Sequence, residues 1–170
     1  GSRLSKIFLT TKMMAPKASA QLFGLYYGVG SQQIHIDTMQ HHLAPECATN
    51  LLFRGALDQT AQAVYRGLIR LETGAQKTDA YLQNRTLLLS DDARMDAIPS
   101  LEILANDVRC GHGATATQID QTMRFYLMSR GLTDGQAREL ILNGFFEEVI
   151  QRFGMESVIE RVRCCMDQKK

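Results

Sequence analysis

Val64-Tyr65-Arg66-Gly67-Leu68-Ile69-Arg70-Leu71 places Tyr65, Gly67, Ile69 and Leu71 on one side of an extended chain and Val64, Arg66, Leu68 and Arg70 on the other. The run reads as a strand. Similar short runs surround it: Ile34-His35-Ile36, Thr86-Leu87-Leu88-Leu89 and Leu101-Glu102-Ile103, separated by Gly, Asn and Asp turn residues. The two-residue period extends from Leu22 to about Val108. Phe53-Arg54-Gly55 and Tyr65-Arg66-Gly67 repeat an aromatic-Arg-Gly triplet, and polar breaks recur roughly every 10–20 residues, as in coiled β architectures. A sandwich with evenly spaced strands satisfies the same pattern.

Beyond Ala116 the period becomes helical. Thr115 with Gln118 matches a capping box, and Ile119, Met123, Tyr126 and Leu127 then share one face up to a stop at Gly131. Thr133 with Gln136 starts a second helix, with an apolar stripe of Ala137, Leu140, Ile141, Gly144, Phe145, Val149 and Phe153 ending at Gly154. A glycine inside a helix costs about 1 kcal/mol against alanine, so Gly144 is expected to mark a close packing contact. A third helix is expected from about Met155 to Met166 through Val158, Ile159 and Val162. Residues 1–20 are read as a tag scar, Gly1-Ser2, and an irregular lead-in, 21–116 as the β region and 117–170 as a three-helix unit. Three short helices barely bury their own faces, so part of their apolar surface is expected to dock on the β region or on another protein.

At 170 residues the chain has room for one sizeable core, and 45% hydrophobic with 22% charged residues is ordinary for a globular protein. Its net charge is +1 with acids and bases intermixed, which offers no basic field for nucleic acid. Leu22 to Gly30 is the longest apolar stretch, far short of the roughly 20 residues that span a bilayer. The four cysteines, at 47, 110, 164 and 165, form no disulfide framework and suit a reducing, cytoplasmic compartment. Neither a Gly-x-x-x-x-Gly-Lys-Ser/Thr loop nor a Gly-x-Gly-x-x-Gly turn occurs, so no nucleotide site is expected.

Chemistry concentrates in Asn106-Asp107-Val108-Arg109-Cys110-Gly111-His112-Gly113-Ala114-Thr115-Ala116. Cys110 and His112 titrate near neutrality, with ordinary values of about 8.5 and 6.5, and both bind soft or borderline metals. In a strand, residues i and i+2 share a face and lie roughly 6.6 Å apart, so the two heads can converge on one ion or cluster. Gly111 and Gly113 leave room for a group to approach the backbone. A buried thiol beside a hydrogen-bonded imidazole fits the same residues, and no second pair stands at zinc-finger spacing. Cys47 near His41 and His42 reads as a polar loop or strand edge, Asp91-Asp92 as a turn, and Cys164-Cys165 as incidental terminal thiols.

Ile98-Pro99-Ser100-Leu101-Glu102-Ile103-Leu104-Ala105-Asn106-Asp107-Val108-Arg109-Cys110-Gly111-His112-Gly113-Ala114-Thr115, followed by Ile119-Asp120, Phe125-Tyr126-Leu127-Met128-Ser129-Arg130-Gly131-Leu132 and Gly144-Phe145, resembles the C-terminal signature of the SufB/SufD family. These are scaffolds of the SUF iron–sulfur cluster assembly system. The resemblance implies a mainly β chain: the last turns of a right-handed parallel β-helix, then a small three-helix C-terminal domain. It implies a non-enzymatic subunit that pairs with a SufB-like or identical subunit and docks a SufC-type ABC ATPase. Within the family the SufD type is closer. The SufB-type cysteine falls at Asn84 and the SufB-type glutamate at Gly113, whereas the SufD-type cysteine and histidine fall at Cys110 and His112, with Gly111 in place of a serine. Cys110 and His112 are thereby expected to be ligands to iron or a transient iron–sulfur cluster at the subunit interface. Phe125, Ser129, Arg130, Gly131 and Phe145 are expected to support ATPase docking. Two alternatives are a β-helix enzyme acting on polysaccharide, for which no carboxylate ladder is found, and a purely structural interaction module.

Overall fold

The structure, a computed structural model, describes residues 2–167. Eight ten-residue strands come first: β1 (Leu4–Met13), β2 (Ser19–Gly28), β3 (Gln33–His42), β4 (Ala48–Leu57), β5 (Gln62–Leu71), β6 (Asp79–Leu88), β7 (Arg94–Ile103) and β8 (Arg109–Gln118). Three helices follow: α1 (Gln121–Ser129), α2 (Asp134–Ile150) and α3 (Glu156–Asp167). Odd strands form one parallel sheet, β1-β3-β5-β7, and even strands another, β2-β4-β6-β8. The chain therefore winds through four coils of two strands each. Leu4 stands beside Gln33 and Gln33 beside Gln62, so a coil takes 29 residues, widening to 32 where Gln62 meets Arg94. A sandwich is excluded, because every pairing is parallel.

Strand periodicity becomes a core because alternate residues of all eight strands point into the coil. Ile34, Ile36, Leu51, Leu57, Tyr65, Ile69, Leu71 and Leu82 fill it. Aromatic rings need space there, and glycines on neighbouring strands supply it. A Cβ added at Gly24 would overlap the Phe53 ring, and one at Gly55 would overlap the Tyr26 ring. The corners also recur. Lys17, Glu46 and Lys77 follow the odd strands with φ of 63°, 57° and 58°, and Gly30 and Gln59 repeat the left-handed residue after β2 and β4.

The lead-in expected over residues 1–20 is strand instead: β1 and the start of β2 lie there. Met13, Leu9 and Ile7 face inward in register with His42, Thr38 and Ile36. The expected capping box at Thr115 and Gln118 is also overridden. Both belong to β8, where Thr115-Ala116-Thr117 pairs with Arg85-Thr86-Leu87, and the α1 cap is Asp120, whose carboxylate accepts from the N–H of Thr122 and Met123. Thr133 and Gln136 do form the capping box of α2. The expected buried face of α1 is absent: α1 buries no residue, and Met123 and Tyr126 are exposed.

Sheet β2-β4-β6-β8 is covered on its outside by the helical unit. Ala56 and Leu87 meet Ile119, Leu142, Phe146 and Ile150, and Ile159, Val162 and Met166 of α3 pack on the same cluster. The α2 stripe is thus Ala137, Leu142, Phe146, Val149 and Ile150, while Leu140 is exposed. Leu142, Phe146 and Ile150 are buried against the sheet, and Ile141 and Phe145 pack partly buried at its margin. A Cβ on Gly144 would meet nothing within 4 Å, so this glycine marks no packing contact. No helix among the described residues is long and apolar enough to cross a membrane.

Two glycine substitutions should move stability in opposite directions. Gly55→Ala forces a methyl into the Tyr26 ring and is expected to cost about 3 kcal/mol in urea unfolding. Gly144→Ala should stabilise by up to about 1 kcal/mol.

Candidate functional site

β8 is the edge strand of its sheet, paired with β6 on one side only among the described residues. Cys110 stands beside Ala80 and His112 beside Leu82, and both neighbours are buried inward-facing residues. Cys110 and His112 thus point toward the coil interior at its last layer, on one face of the strand. The Cys110 thiol is half-buried against the main core. Burial, and secondarily the Asp79 carboxylate, push that thiol above its ordinary value, so it stays protonated near neutral pH. His112 is exposed.

The opposite wall of this last coil is β7. Register with Ile69 and Leu71 turns Leu101 and Ile103 inward, yet they remain 37% and 40% exposed because no further coil covers them. The end of the coil is thus an apolar rim carrying one thiol and one imidazole. Two donors are half of the roughly four that an iron–sulfur cluster takes. Among the described residues no group of three or more His, Cys, Asp or Glu is arranged to hold a metal.

Gly111 and Gly113 face outward, under Tyr81 of β6. An added Cβ would lie 3.3 Å from the Tyr81 ring at Gly111 and 3.5 Å from its hydroxyl at Gly113. Tyr81 thus occupies the space that the sequence reading leaves for an approaching group. Asn84 is fully buried one coil inward, beside Ala114, and its side-chain oxygen accepts a hydrogen bond from the Tyr26 hydroxyl at 3.2 Å. Thr86 shares the same hydroxyl.

His41, His42 and Cys47 have local partners. His41 and His42 are not in a loop; they end β3, and the inward His42 is fully buried, with Nε2 2.9 Å from Thr49 Oγ1. Burial and the neighbouring His41 lower its pKa to about 4, which keeps it neutral. His41 Nε2 lies 2.8 Å from Glu72 Oε1. Cys47 is buried and its thiol donates to the carbonyls of Ala15 and Pro45. Cys164 and Cys165 are exposed on α3.

At the end of α1 the structure gathers four of the five residues expected to support docking. Phe125 is 72% exposed, Ser129 Oγ donates to the Tyr126 carbonyl, the Arg130 guanidinium sits 5.1 Å from the Tyr126 ring centre, and Gly131 adopts φ +97°. Phe145 stands apart from them. It is half-buried, 5.7 Å from the Phe146 ring and 5.8 Å from the guanidinium of Arg54. Arg54 itself escapes sequence reasoning. Its triplet matches Tyr65-Arg66-Gly67, but the Arg66 side chain is 61% exposed and that of Arg54 is sealed under α2.

The profile of a family described as "SUF system FeS cluster assembly, SufBD core domain" matches residues 1–145. An iron–sulfur cluster assembly SufBD family protein of Synechocystis is 35% identical over 168 residues, covering 98% of this chain and 37% of that protein. Proteins of the same description from Mycobacterium tuberculosis and Mycobacterium leprae are 34% and 30% identical, covering 88% and 99% of this chain and 40% and 45% of their own lengths. The chain thus spans less than half the length of these relatives.

Thiol burial predicts an order of alkylation. Under native conditions at neutral pH, iodoacetamide should label Cys164 and Cys165 first, Cys110 more slowly and Cys47 last, as read by peptide mass spectrometry.

Proposed function

Because the chain belongs to the SUF-system FeS cluster assembly SufBD core-domain family, we propose that it acts as a SufD-type scaffold subunit in the cytoplasm. Its last coil pairs with a SufB-like or identical subunit, and its helical unit docks a SufC-type ABC ATPase. The observation that carries this reading is the open end of the coil, where Cys110 and His112 stand on one face of an edge strand inside an apolar rim.

An edge strand with unpaired backbone groups and exposed Leu101 and Ile103 favours coverage by another chain. The covering subunit then supplies the donors that two residues lack. The cluster is cargo, and an incomplete ligand set lets it leave. Cys110 binds iron only as its thiolate, so uptake displaces the thiol proton and is coupled to proton release. His112 offers a ring nitrogen on the same face of β8. Asn84 and Gly113 provide no thiolate or carboxylate, which favours a supporting role for this chain at the site. ATP hydrolysis belongs to the docked partner, with the exposed Met123, Phe125, Tyr126 and Met128 as the contact surface.

Reconstitution of the complete complex with iron and sulfide tests the ligand role. His112→Ala should lower cluster yield several-fold, measured by absorbance and iron content, and an unchanged yield contradicts it. In a separate pull-down, Arg130→Glu should weaken recovery of the ATPase subunit. Undiminished recovery would place that contact elsewhere.

A further inference from the structure

Arg54 projects from the outer face of β4 with no exposed surface. Its guanidinium donates to the Phe53 carbonyl at 3.1 Å, to Gln83 Oε1 at 2.8 Å and to Glu148 Oε1 at 2.7 Å, and Phe145 covers it at 5.8 Å. Nε has no partner. The cation belongs to the β-coil, whereas its counter-charge and its aromatic cover both belong to α2. The Glu148 side chain is 47% exposed, and its other oxygen lies 4.0 Å from Arg85 Nη1. One end of the pair is sealed and the other faces solvent.

A buried ion pair is a poor fastener when apolar residues of the same volume would serve. Its distinctive property is asymmetry: removing one partner strands a charge, whereas replacing both is nearly neutral. We propose that Arg54 and Glu148 form a charge latch that makes the seating of α2 on the β-coil conditional on Glu148 remaining paired inward. A cationic side chain offered to the exposed face of Glu148 by a docked protein draws the carboxylate away from Arg54. The uncompensated guanidinium then expels Phe145 and α2, because it regains water only when the helix lifts. The latch thus converts a surface contact on α2 into movement of the helical unit relative to the strands.

Native-state hydrogen exchange on the full chain tests this. Glu148→Gln should accelerate exchange of α2 amides by at least about tenfold while leaving β3–β6 protected, since a stranded buried charge costs well over 1.4 kcal/mol. The double variant Arg54→Met/Glu148→Gln should return α2 to within about twofold of wild type, because the methionine keeps the packing and removes the charge. A hexa-arginine peptide should accelerate α2 exchange in the wild type but not in Arg54→Met. Unchanged exchange in Glu148→Gln would overturn the latch, as would a double variant that stays as fast as Glu148→Gln. No response of the wild type to the peptide would overturn opening by an external cation.

Discussion

A stack of parallel coils satisfies its backbone only where another coil lies alongside, so its terminal coil is left with unpaired strand edges and one uncovered layer of inward-facing side chains. In this chain that layer holds Cys110 and His112 from β8, with Leu101 and Ile103 opposite. Interior residues elsewhere meet neighbours above and below, and they reach 0% exposure at Leu51, Tyr65, Ile69 and Leu82. The same pattern of inward residues, continued one coil further, yields a surface instead of a core. Chemistry is available at this end because the fold is unfinished there.

The two sheets differ in what covers them, and that difference separates equivalent residues. Arg66 lies on the outer face of the odd-strand sheet, where it pairs loosely with Asp37 at 3.6 Å. Arg54 holds the matching place in the aromatic-Arg-Gly triplet, but on the even-strand sheet beneath α2. Burial turns an ordinary surface arginine into a group whose charge must be answered from the helix. Glu148 provides the answer, and the Arg54 guanidinium together with Arg85 and Arg152 lowers that carboxylate below its ordinary range. The helical unit is consequently held by two unlike forces, the apolar row Leu142-Phe146-Ile150 and the charges gathered around Glu148.

Much of this was legible in residue order. The alternation in Val64–Leu71 fixes strand type and the inward face, and Thr133 with Gln136 marks the start of α2 because both cap bonds are local. Misreadings occur where tertiary structure overrides a local signal. Thr115 and Gln118 have capping-box spacing, but completing a ten-residue pairing with β6 satisfies more backbone groups, so the helix waits for Asp120. The expected α2 stripe holds at Ala137 and Val149, but periodicity alone does not say that Leu142, Phe146 and Ile150 are buried more deeply than the neighbouring Ile141 and Phe145. His42 reads as polar surface because its partner, Thr49, lies across the corner on the next strand. For the site, the spacing of Cys110 and His112 foretells a shared face, but not their place at the end of the coil. The role of Gly111 and Gly113 was hidden because Tyr81 lies 30 residues upstream of Gly111 and becomes its neighbour only through the coil period.

The open last coil is the surface proposed to join this chain to a partner subunit. Hydrogen exchange resolved over β8, compared between the isolated chain and its complex with a SufB-like or second subunit, tests it most directly. Complex formation should bring strong new protection to amides between Arg109 and Gln118, with β3 and β5 unchanged because they are already paired on both sides. Protection confined to other segments, with β8 exchanging as fast in the complex as alone, would contradict it.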